Sequence, residues 1–549
     1  MAANPDYLTM TTLIGQIIEV RGDRMIAAFS RAAGDGQTAS IGRLGSFVSV
    51  QQNGLRVLAS VLSMADDTDR DRRQNPEAVT TRVTLMPVGQ LDADGGFSPG
   101  INSYPTTGAK VYAVEDAELR ALFDIYAPLG FEVGTLPARH DQPVYLHPGR
   151  LYGRHLAILG QSGSGKSWTV TSLLQRTVER MPNAHIVLLD LHGEYVWRDE
   201  QGQVRSAFEE GSYRYLSARD LEIPYWLLTY SELVDLLIDR NDPGASTQIA
   251  FLRETVFSLR KKANEHLDLD RLSVDSPVYF PLAQLFLAFK KANEQTLDFG
   301  KARGALNGQF DEFLVKLQSK LNDARYDFLF KPTRRTDSST LADLLRDFIG
   351  LGEERSQITV IDLSPVPFDV RPTVSAQIGR LAFEFNYWNP HYREFPISLV
   401  CEEAHAYIPR DRHGQYEGTR RAMERIAKEG RKYGVSLVVV SQRPHELSET
   451  VLAQCGNYIC LRVTNPDDQD YIRQLVPEST RDLTETLSSL GRGEALILGE
   501  ATPLPTRVQF TPPDPPPNSN DVDFHTYWRD GMRDLDIDTI VSRWRNQRR

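Results

Sequence analysis

The pattern of apolar and polar residues changes near residue 150. From Leu13 to about Val114, short segments rich in Val and Ile alternate with turn signals such as Gln52-Asn53-Gly54. This spacing predicts a small antiparallel β-barrel, with a Gly-rich surface loop over 89–105. The predicted barrel strands are IGQIIEV (14–20), RMIAAF (24–29), GSFVSVQ (45–51), LRVLASVLSM (55–64) and TRVTLMPVGQL (81–91).

Beyond residue 150 the apolar runs become nearly continuous and alternate with helical patterns. Strands that are buried on both faces of a parallel sheet have this composition, so the fold class is predicted to be α/β. Apolar residues spaced by three and four between about 220 and 350 predict an α-helical insertion. The predicted sheet strands are HLAILG (155–160), HIVLLD (185–190), ITVIDL (358–363), ISLVCEE (397–403), VSLVVVSQ (435–442) and YICLRV (458–463).

The C-terminal segment has a different composition. TPPDPPPNSN (511–520) holds too many prolines for regular structure and predicts an extended linker, after which the pattern predicts a terminal helix with a basic end. Because apolar side chains follow a detached linker, we expect this segment to brace a neighbouring subunit, the alternative being a mobile tail. The side chains available for burial are Tyr527, Trp528, Ile537, Ile540, Val541 and Trp544.

Composition limits the possible classes of protein. A chain of 549 residues exceeds the size of one hydrophobic core, so at least two domains are expected. The 62 Lys and Arg against 73 Asp and Glu give a net charge of −11, which excludes binding of nucleic acid over the whole surface but allows a basic channel. Cys401, Cys455 and Cys460 have neither disulfide nor zinc spacing, so they are expected to be buried in a reducing cytosol.

The N-terminus lacks the basic region and uninterrupted apolar stretch of a signal peptide. No apolar run approaches the roughly 20 residues that are needed to span a bilayer. We therefore expect a soluble cytoplasmic protein that is not attached to a membrane.

The strongest chemical motif is G-x-x-x-x-G-K-S at residues 160–167. It lies between an apolar run and a helical pattern, which is the strand–loop–helix context of a nucleoside triphosphate site. The glycines let backbone N–H groups surround phosphate oxygens, Lys166 adds a charge to the β- and γ-phosphates, and Ser167 can bind Mg²⁺. The predicted nucleotide-binding residues are Gly160, Gln161, Ser162, Gly163, Ser164, Gly165, Lys166, Ser167 and Trp168.

Two acids follow the predicted strand ISLVC. Beside a phosphate-binding loop, Glu402 is expected to hold the water shell of Mg²⁺ and Glu403 to polarise the attacking water. Alone, two glutamates after an apolar run are more often the start of a solvated helix, but the phosphate-binding loop upstream favours the catalytic role. His405 is expected to make a structural hydrogen bond.

Three further residues have two interpretations each. Gln442, just past a predicted strand, is either a sensor of the γ-phosphate or a strand-end cap. Asp190, at the end of HIVLLD, either joins the metal site through the Mg²⁺ water network or forms a turn. Arg431 either belongs to a solvated basic face or reaches a neighbouring subunit's triphosphate as an arginine finger.

Four segments together resemble one known family. RHLAILGQSGSGKS, DLHGEY, VCEEAHAYIP and IAKEGRKYGVSLVVVSQRP are similar to the HerA branch of the HerA/FtsK P-loop ATPases, and the similarity covers most of residues 5–510. It implies a RecA-like P-loop ATPase core with an N-terminal small β-barrel of the HAS type, a helical insertion and a C-terminal brace. The predicted domains are the barrel (1–125), the ATPase domain (126–510, with the insertion at about 220–350) and the linker with the brace (511–549).

The resemblance also implies roles for the residues above. ATP and Mg²⁺ are the expected cofactors, Lys166 and Ser167 belong to Walker A, and Glu402 and Glu403 belong to Walker B. Gln442 is the implied sensor and Arg431 the implied finger. One departure from the pattern is that the first Walker B acid is Glu402 rather than Asp, which keeps the charge but lengthens the arm.

The family further implies a homohexameric ring that translocates double-stranded DNA with a partner effector. The implied partner is a NurA-like or other nuclease, or a sirtuin-like NADase, in DNA end processing or antiphage defence. This chain has no recognisable nuclease or NAD-binding signature of its own. The alternatives are an AAA+-like protein-remodelling ATPase, a membrane-attached coupling ATPase of the conjugation type, and a scaffold with a relic phosphate-binding loop.

Charge limits where DNA could bind. Because each subunit carries −11, the exterior of a ring should repel duplex DNA, so contacts require basic side chains that line the pore. The candidates are Arg260, Lys261 and Lys262, for which a solvated helix face is the favoured interpretation, and Arg410 and Arg412.

Overall fold

The computed structural model describes residues 12–546, except for 23, 32–44, 67–78, 92–96, 115, 138, 200, 298–301, 369, 411–416, 530 and 533. Contacts divide the chain into two compact units. The first unit comprises 1–177, 442–445 and 455–512, and the second comprises 178–441, 446–454 and 513–549.

Strands and helices follow one another in the order that the apolar pattern predicts. In chain order the strands are β1 (Leu13–Val20), β2 (Met25–Arg31), β3 (Phe47–Gln52), β4 (Leu55–Asp66), β5 (Val79–Leu91), β6 (Phe97–Pro99), β7 (Lys110–Ala113), β8 (Phe131–Leu136), β9 (Arg139–Leu146), β10 (Leu156–Leu159), β11 (Ile186–Asp190), β12 (Val196–Arg198), β13 (Val204–Ser206), β14 (Tyr213–Ser217), β15 (Thr296–Leu297), β16 (Ala302–Arg303), β17 (Ile358–Asp362), β18 (Ile397–Cys401), β19 (Val435–Ser441), β20 (Asn457–Cys460), β21 (Glu494–Gly499) and β22 (Thr506–Phe510). The helices are α1 (Asp116–Phe123), α2 (Pro148–Tyr152), α3 (Lys166–Arg180), α4 (Ala218–Leu221), α5 (Tyr230–Leu237), α6 (Ala245–Ala263), α7 (Leu282–Asn293), α8 (Asp311–Asn322), α9 (Asp327–Phe330), α10 (Leu341–Phe348), α11 (Arg371–Trp388), α12 (Glu417–Glu429), α13 (Glu449–Leu452), α14 (Pro466–Leu475), α15 (Phe524–Arg529) and α16 (Ile537–Arg545).

The N-terminal part of the first unit is a closed antiparallel barrel. Its strand order is β2-β1-β7-β3-β4-β5, and β5 closes the barrel by pairing with β2. Side chains that alternate along the strands fill the interior, among them Ile17, Met25, Val48, Val57 and Val83. Period-two alternation of this kind is what buries one face of each strand.

One part of the barrel region differs from the sequence prediction. Residues 89–105 are not all loop, because β6 pairs antiparallel with the end of β5. A Cβ on Gly89 would lie 2.4 Å from the ring of Phe97, so the glycine leaves room for that ring. Gly89, which composition assigns to a loop, instead permits close packing between strands.

The rest of the first unit contains a second sheet. Its strands follow the order β10-β20-β21-β22-β8-β9, with β10 and β20 parallel and the others antiparallel. Every residue of β10 is buried, which agrees with the continuous apolar run that predicted it. This strand leads directly into the loop that precedes α3.

The second unit contains a parallel sheet with the order β14-β17-β11-β18-β19. All residues of β11, β17, β18 and β19 are buried. The paired register Asp190↔Asp362 brings the carboxyl ends of β11 and β17 level with each other. Between β14 and β17 the chain is mostly helical, from α4 to α10.

The predicted architecture, an α/β core with an N-terminal small β-barrel and a helical insertion, is confirmed. Every predicted strand corresponds to an observed one, with ends that differ by a few residues. All three cysteines are buried and free. Among the described residues, no helix has the length and apolar character that crossing a bilayer would require. The exact domain boundaries stay a prediction.

Candidate active site

The phosphate-binding loop joins β10 to α3 in the first unit. Gly160 is closely packed, since a Cβ there would lie 2.7 Å from Ser164 Oγ. Gly163 and Gly165 have φ angles of 73° and 104°, in the left-handed region that favours glycine. A Cβ on Gly165 would also lie 3.2 Å from the backbone N of Gly493. Close packing or a left-handed backbone angle therefore favours glycine at each of these three loop positions.

The carbonyl of Gln161 closes the loop. It accepts hydrogen bonds from Ser164 N at 3.2 Å and Ser164 Oγ at 2.7 Å. Lys166 Nζ donates to the same oxygen at 3.2 Å. The side-chain oxygen of Gln161 accepts from Thr464 N at 2.9 Å and from Thr464 Oγ1 at 2.6 Å, which anchors the loop from outside. The ammonium of Lys166 is thus held against the loop. An anion bound in the loop would be stabilised by the positive charge of this ammonium.

Helix α3 begins at Lys166 and presents its N-terminus to the loop. The first N–H groups of a helix have no partner within the helix, and its dipole favours negative charge at this end. A Cβ on Gly163 would meet nothing within 4 Å, so the loop is open on that side. Trp168, in the first turn, lies with its ring 5.8 Å from Arg492 Cζ. Open backbone, helix N-terminus and lysine fit a triphosphate chain.

Glu402 lies in the second unit, directly after β18. It is 5% exposed, and its backbone N–H donates to Leu189 O at 3.3 Å, which continues the pairing of β18 with β11. The hydroxyl of Tyr195 donates to the carboxylate of Glu402. Burial raises the pKa of Tyr195 well above its ordinary value, and the neighbouring Glu402 raises it further. Strand pairing therefore fixes the backbone of Glu402, and Tyr195 fixes its carboxylate.

Glu403 departs from the strand path. Its φ of 46° lies in the left-handed region, which is uncommon for a residue other than glycine and is often found at functional sites. One carboxylate oxygen, Oε2, is buried and makes no hydrogen bond with any described residue. His405 Nδ1 lies 3.2 Å from that oxygen without hydrogen-bond alignment, and lies 3.2 Å from Ser441 Oγ. The expected structural hydrogen bond of His405 is therefore confirmed, with Ser441.

A buried carboxylate oxygen that lacks a donor is suited to accept a proton from water. The acids also suit a magnesium ion that arrives with its nucleotide, because Mg²⁺ keeps several waters and takes only one or two carboxylates beside substrate phosphates. Within the described ranges, no three His, Cys, Asp or Glu side chains cluster closely enough to hold a metal by themselves. The expected roles of Ser167 and Glu402 as ligands of such an ion stay predictions.

Asp190 organises the turn that follows β11. Its carboxylate accepts from the backbone N–H groups of four residues, at distances between 2.8 and 3.2 Å. These residues are His192, Gly193, Glu194 and Tyr195. Burial raises the pKa of Asp190 to about 6, against the lowering effect of these bonds. The geometry is that of the turn-forming interpretation, and the role of metal ligand stays a prediction.

Arg431 and Gln442 lie at the two ends of β19. Arg431 is exposed in a short 3₁₀ turn, Gly430–Tyr433, between α12 and β19 in the second unit, and its side chain makes no ion pair or hydrogen bond with any described residue. Gln442 belongs to the first unit and is half-buried, again without a side-chain hydrogen bond among the described residues. The cap interpretation of Gln442 thus lacks a hydrogen bond to support it, and both functional roles stay predictions.

Tyr195 is the residue that sequence reasoning missed. It lies in DLHGEY, one of the four segments that resemble the HerA family. The hydrogen bond to Glu402 joins residues 207 positions apart. No local periodicity carries such a pairing, so the only available signal was the family motif itself.

The structure corrects one of the candidate DNA contacts. Arg260 is fully buried in α6, where its guanidinium donates to backbone carbonyls of Val274, Trp226 and Leu228. The prediction that it could line a pore is wrong, because the long side chain fills the helical block instead. Lys261 and Lys262 are exposed, as is Arg410, whereas Arg412 lies outside the described residues.

Comparison with known families gives two matches along the chain. The profile described as "Helicase HerA, central domain" matches residues 131–381. The profile described as "Helicase HerA-like C-terminal" matches residues 411–520. Together they cover more than half of the chain, and the match to the central domain precedes the match to the C-terminal domain.

Individual relatives agree with these profiles. The DNA double-strand break repair helicase HerA of Sulfolobus acidocaldarius is 28% identical over 475 residues, which are 85% of this chain and 85% of that protein. The protein of the same name from Pyrococcus furiosus is 29% identical over 436 residues, 73% of each chain. Among solved structures, VirB4 of Thermoanaerobacter pseudethanolicus aligns over 72% of this chain and 98% of that chain, at 18% identity and a TM-score of 0.43.

Proposed function

The chain belongs to the HerA helicase family, and from this premise we propose that it is an ATP-driven hexameric translocase of double-stranded DNA. The relatives above are named as DNA double-strand break repair helicases, and the chain matches them over most of their length. The proposal extends their substrate class to this protein. That the nucleotide is ATP, rather than another nucleoside triphosphate, is inferred from membership of the family.

The observation that carries the proposal is the local geometry of each residue that ATP hydrolysis would need. Lys166 lies against an open loop whose glycines have the required backbone angles. Glu402 is held at a strand end, and Glu403 follows it with a buried oxygen that accepts no hydrogen bond from any described residue. Mg²⁺ supplies charge neutralisation of the phosphates when it is bound with ATP. Glu403 takes the proton of the attacking water, and Lys166 stabilises the charge on the transferred phosphoryl group.

The proposed ring state is supported by the exposed Arg431 and by the exposed apolar side chains of the C-terminal tail. Arg431 has an exposed guanidinium without an ion pair among the described residues, as a finger acting on an adjacent subunit requires. The tail helices α15 and α16 have no buried residue, although Phe524, Trp528 and Trp544 are large and apolar. These side chains would be covered by a neighbouring subunit in the braced ring.

DNA binding is proposed to occur inside the ring. With −11 charges on each subunit, the exterior disfavours duplex DNA, so basic side chains near the axis must supply the contacts. Contacts to phosphates position DNA without reading its sequence. The exposed Lys261, Lys262 and Arg410 remain candidates for this role.

We further propose that a separate effector protein completes the activity, because this chain carries no nuclease or NAD-consuming signature. A NurA-like nuclease would place the complex in DNA end processing. A different nuclease or a sirtuin-like NADase would place it in antiphage defence. Sequencing of the neighbouring reading frame, followed by co-purification, distinguishes these possibilities.

The proposed function is tested by measuring ATP turnover and DNA binding with random-sequence duplexes across a salt series, with and without the effector. We expect duplex DNA to stimulate turnover, and affinity to fall steeply with salt while remaining nearly independent of sequence. Lys166→Ala is the control, since it should abolish DNA-stimulated turnover.

Three outcomes would contradict the translocase. These are binding that is independent of salt, binding that selects a particular sequence, and no effect of DNA on turnover even with the effector. Stimulation by an unfolded protein substrate in place of DNA would favour the protein-remodelling alternative.

A further inference from the structure

We propose that Tyr195 positions the carboxylate of Glu402 and thereby sets the affinity of the site for nucleotide-bound Mg²⁺. This inference rests on the proposed function, because it concerns the same metal-dependent ATP site. In this inference, the turn after β11 orients an acid at the end of β18. Tyr195 is therefore a positioning residue, because it acts through Glu402.

The turn that carries Tyr195 is fixed from within. The carboxylate of Asp190 accepts the N–H of Tyr195 at 3.0 Å and the N–H of Gly193 at 2.8 Å. Gly193 has a φ of 73°, which lets the chain fold around this carboxylate. The backbone of Tyr195 therefore has one defined position relative to the end of β11.

The ring of Tyr195 is fixed as well. It is fully buried, and it stacks on Phe208 with ring centroids 6.1 Å apart and an interplanar angle of 5°. Ala207 N donates to the carbonyl of Tyr195 at 2.9 Å, which ties the two segments together. A ring held in this way has one direction for its hydroxyl, and that hydroxyl donates to Glu402.

The length of Glu402 explains why such a donor is needed. A glutamate has one more rotatable bond than the aspartate of the family pattern. Fixing its carboxylate in one position therefore costs more conformational entropy. A buried donor removes that freedom before the metal arrives. Removing a group that donates a hydrogen bond to a metal ligand, without touching the metal itself, typically lowers metal affinity or activity by about 10–100-fold.

The test is Tyr195→Phe, which removes the hydroxyl and keeps the stacked ring. Tyr225→Phe is the matched control, because Tyr225 is also a buried tyrosine of the second unit and its hydroxyl donates to Phe280 O at 2.7 Å, with no acid involved. Binding of a fluorescent ATP analogue is measured in EDTA and then across a Mg²⁺ titration. A double variant with Glu402→Gln tests whether the effect passes through Glu402.

We expect Tyr195→Phe to keep the affinity measured in EDTA and to raise the Mg²⁺ concentration for half-maximal tightening by about tenfold or more. Tyr225→Phe should leave both quantities unchanged. In the Glu402→Gln background, Tyr195→Phe should have no further effect, because the carboxylate that it positions is gone.

The inference is overturned if Tyr195→Phe leaves the Mg²⁺ midpoint at the parental value. It is equally overturned if the EDTA affinity falls to the same extent, or if Tyr225→Phe shifts the midpoint as much. These results differ from a failure of the proposed function, in which the parental protein itself would bind the analogue without any response to Mg²⁺ and both proposals would fall.

Discussion

Lys166 and Glu403 should act on different steps of ATP hydrolysis. Lys166→Ala removes the ammonium that lies against the phosphate-binding loop, so nucleotide affinity should fall by at least about tenfold. Glu403→Gln keeps the shape of the side chain but cannot accept a proton, so binding should persist while turnover falls by about 10²–10⁴-fold. Equilibrium binding and phosphate release, measured on both variants, separate the two effects.

Glu500→Gln is a suitable control for this pair, because Glu500 is an exposed glutamate in the first unit. It should retain the parental binding and turnover. Turnover at the parental rate in Glu403→Gln would show that Glu403 is not the base that polarises water.

At the scale of single residues, sequence reasoning succeeded where the chemistry is contiguous. The phosphate-binding loop is one short segment, and in the structure Gly163 and Gly165 of this loop have left-handed backbone angles. Asp190 is instructive because its two interpretations differ only in what its oxygens contact. Four backbone N–H groups of the following turn occupy them, and this is a property of three-dimensional folding rather than of composition.

Helix α6 shows how a basic cluster divides between interior and surface. Arg260 is buried and donates to three carbonyls, whereas the next residue, Lys261, is exposed. Arg260→Met leaves those carbonyls without their donor, so the free energy of unfolding should fall by about 3 kcal/mol. Lys261→Met, the control at the next position of the same helix, should change it by less than about 0.5 kcal/mol. Denaturant unfolding followed by circular dichroism measures both.

An Arg260→Met protein as stable as the parent would mean that water or a neighbouring group replaces the guanidinium. Burial lowers the pKa of Arg260 to about 10, so the residue keeps its charge across the neutral range in which the comparison is made.

At the scale of elements, the strands predicted beyond residue 150 include those that are buried on both faces. β11, β18 and β19 are continuous apolar runs, and burial of every residue explains why the pattern found them. β14, with the sequence YRYLS, was missed because it is only partly buried and mixes polar with aromatic residues. Edge strands of this kind have no periodic signature that separates them from a loop.

The C-terminal tail exposes large apolar side chains that a stable, solvated helix pair would bury. Trp528 is 78% exposed and Trp544 75% exposed, and neither α15 nor α16 has a buried residue. Exposed apolar patches of this kind commonly mark contact with another protein. A chain that ends at Pro512 should therefore form weaker hexamers in analytical ultracentrifugation. It retains Thr511, whose carbonyl accepts from Ser172 Oγ at 2.7 Å, so the first unit should stay folded.

An unchanged distribution of masses in the shortened protein would reject the brace and favour a mobile tail. Trp528→Ser combined with Trp544→Ser, in the full-length chain, provides a second variant that keeps the linker. It should weaken the hexamer in the same direction as the truncation, because it removes the largest apolar side chains of the two helices.

The proposed catalysis between subunits is a property of the whole ring. Arg431 follows α12 in an exposed turn and has no partner among the described residues, so it is free to reach an adjacent triphosphate. Arg431→Ala rings should assemble but lose about 10³–10⁵-fold in turnover, the contribution of an arginine finger. Lys432→Ala, which removes the next exposed cation in the same turn, should retain activity.

Mixed rings provide the decisive measurement. A ring assembled from Arg431→Ala and Glu403→Gln subunits regains interfaces at which one subunit contributes an intact Glu403 and its neighbour an intact Arg431, so turnover should recover in part. Rings in which both substitutions lie in the same subunit, mixed with Arg431→Ala subunits, cannot regenerate such an interface and should stay inactive. If mixed rings are confirmed by mass and show no recovery in the first combination, Arg431 does not act on the neighbouring subunit, and its exposed position would then belong to a solvated basic face.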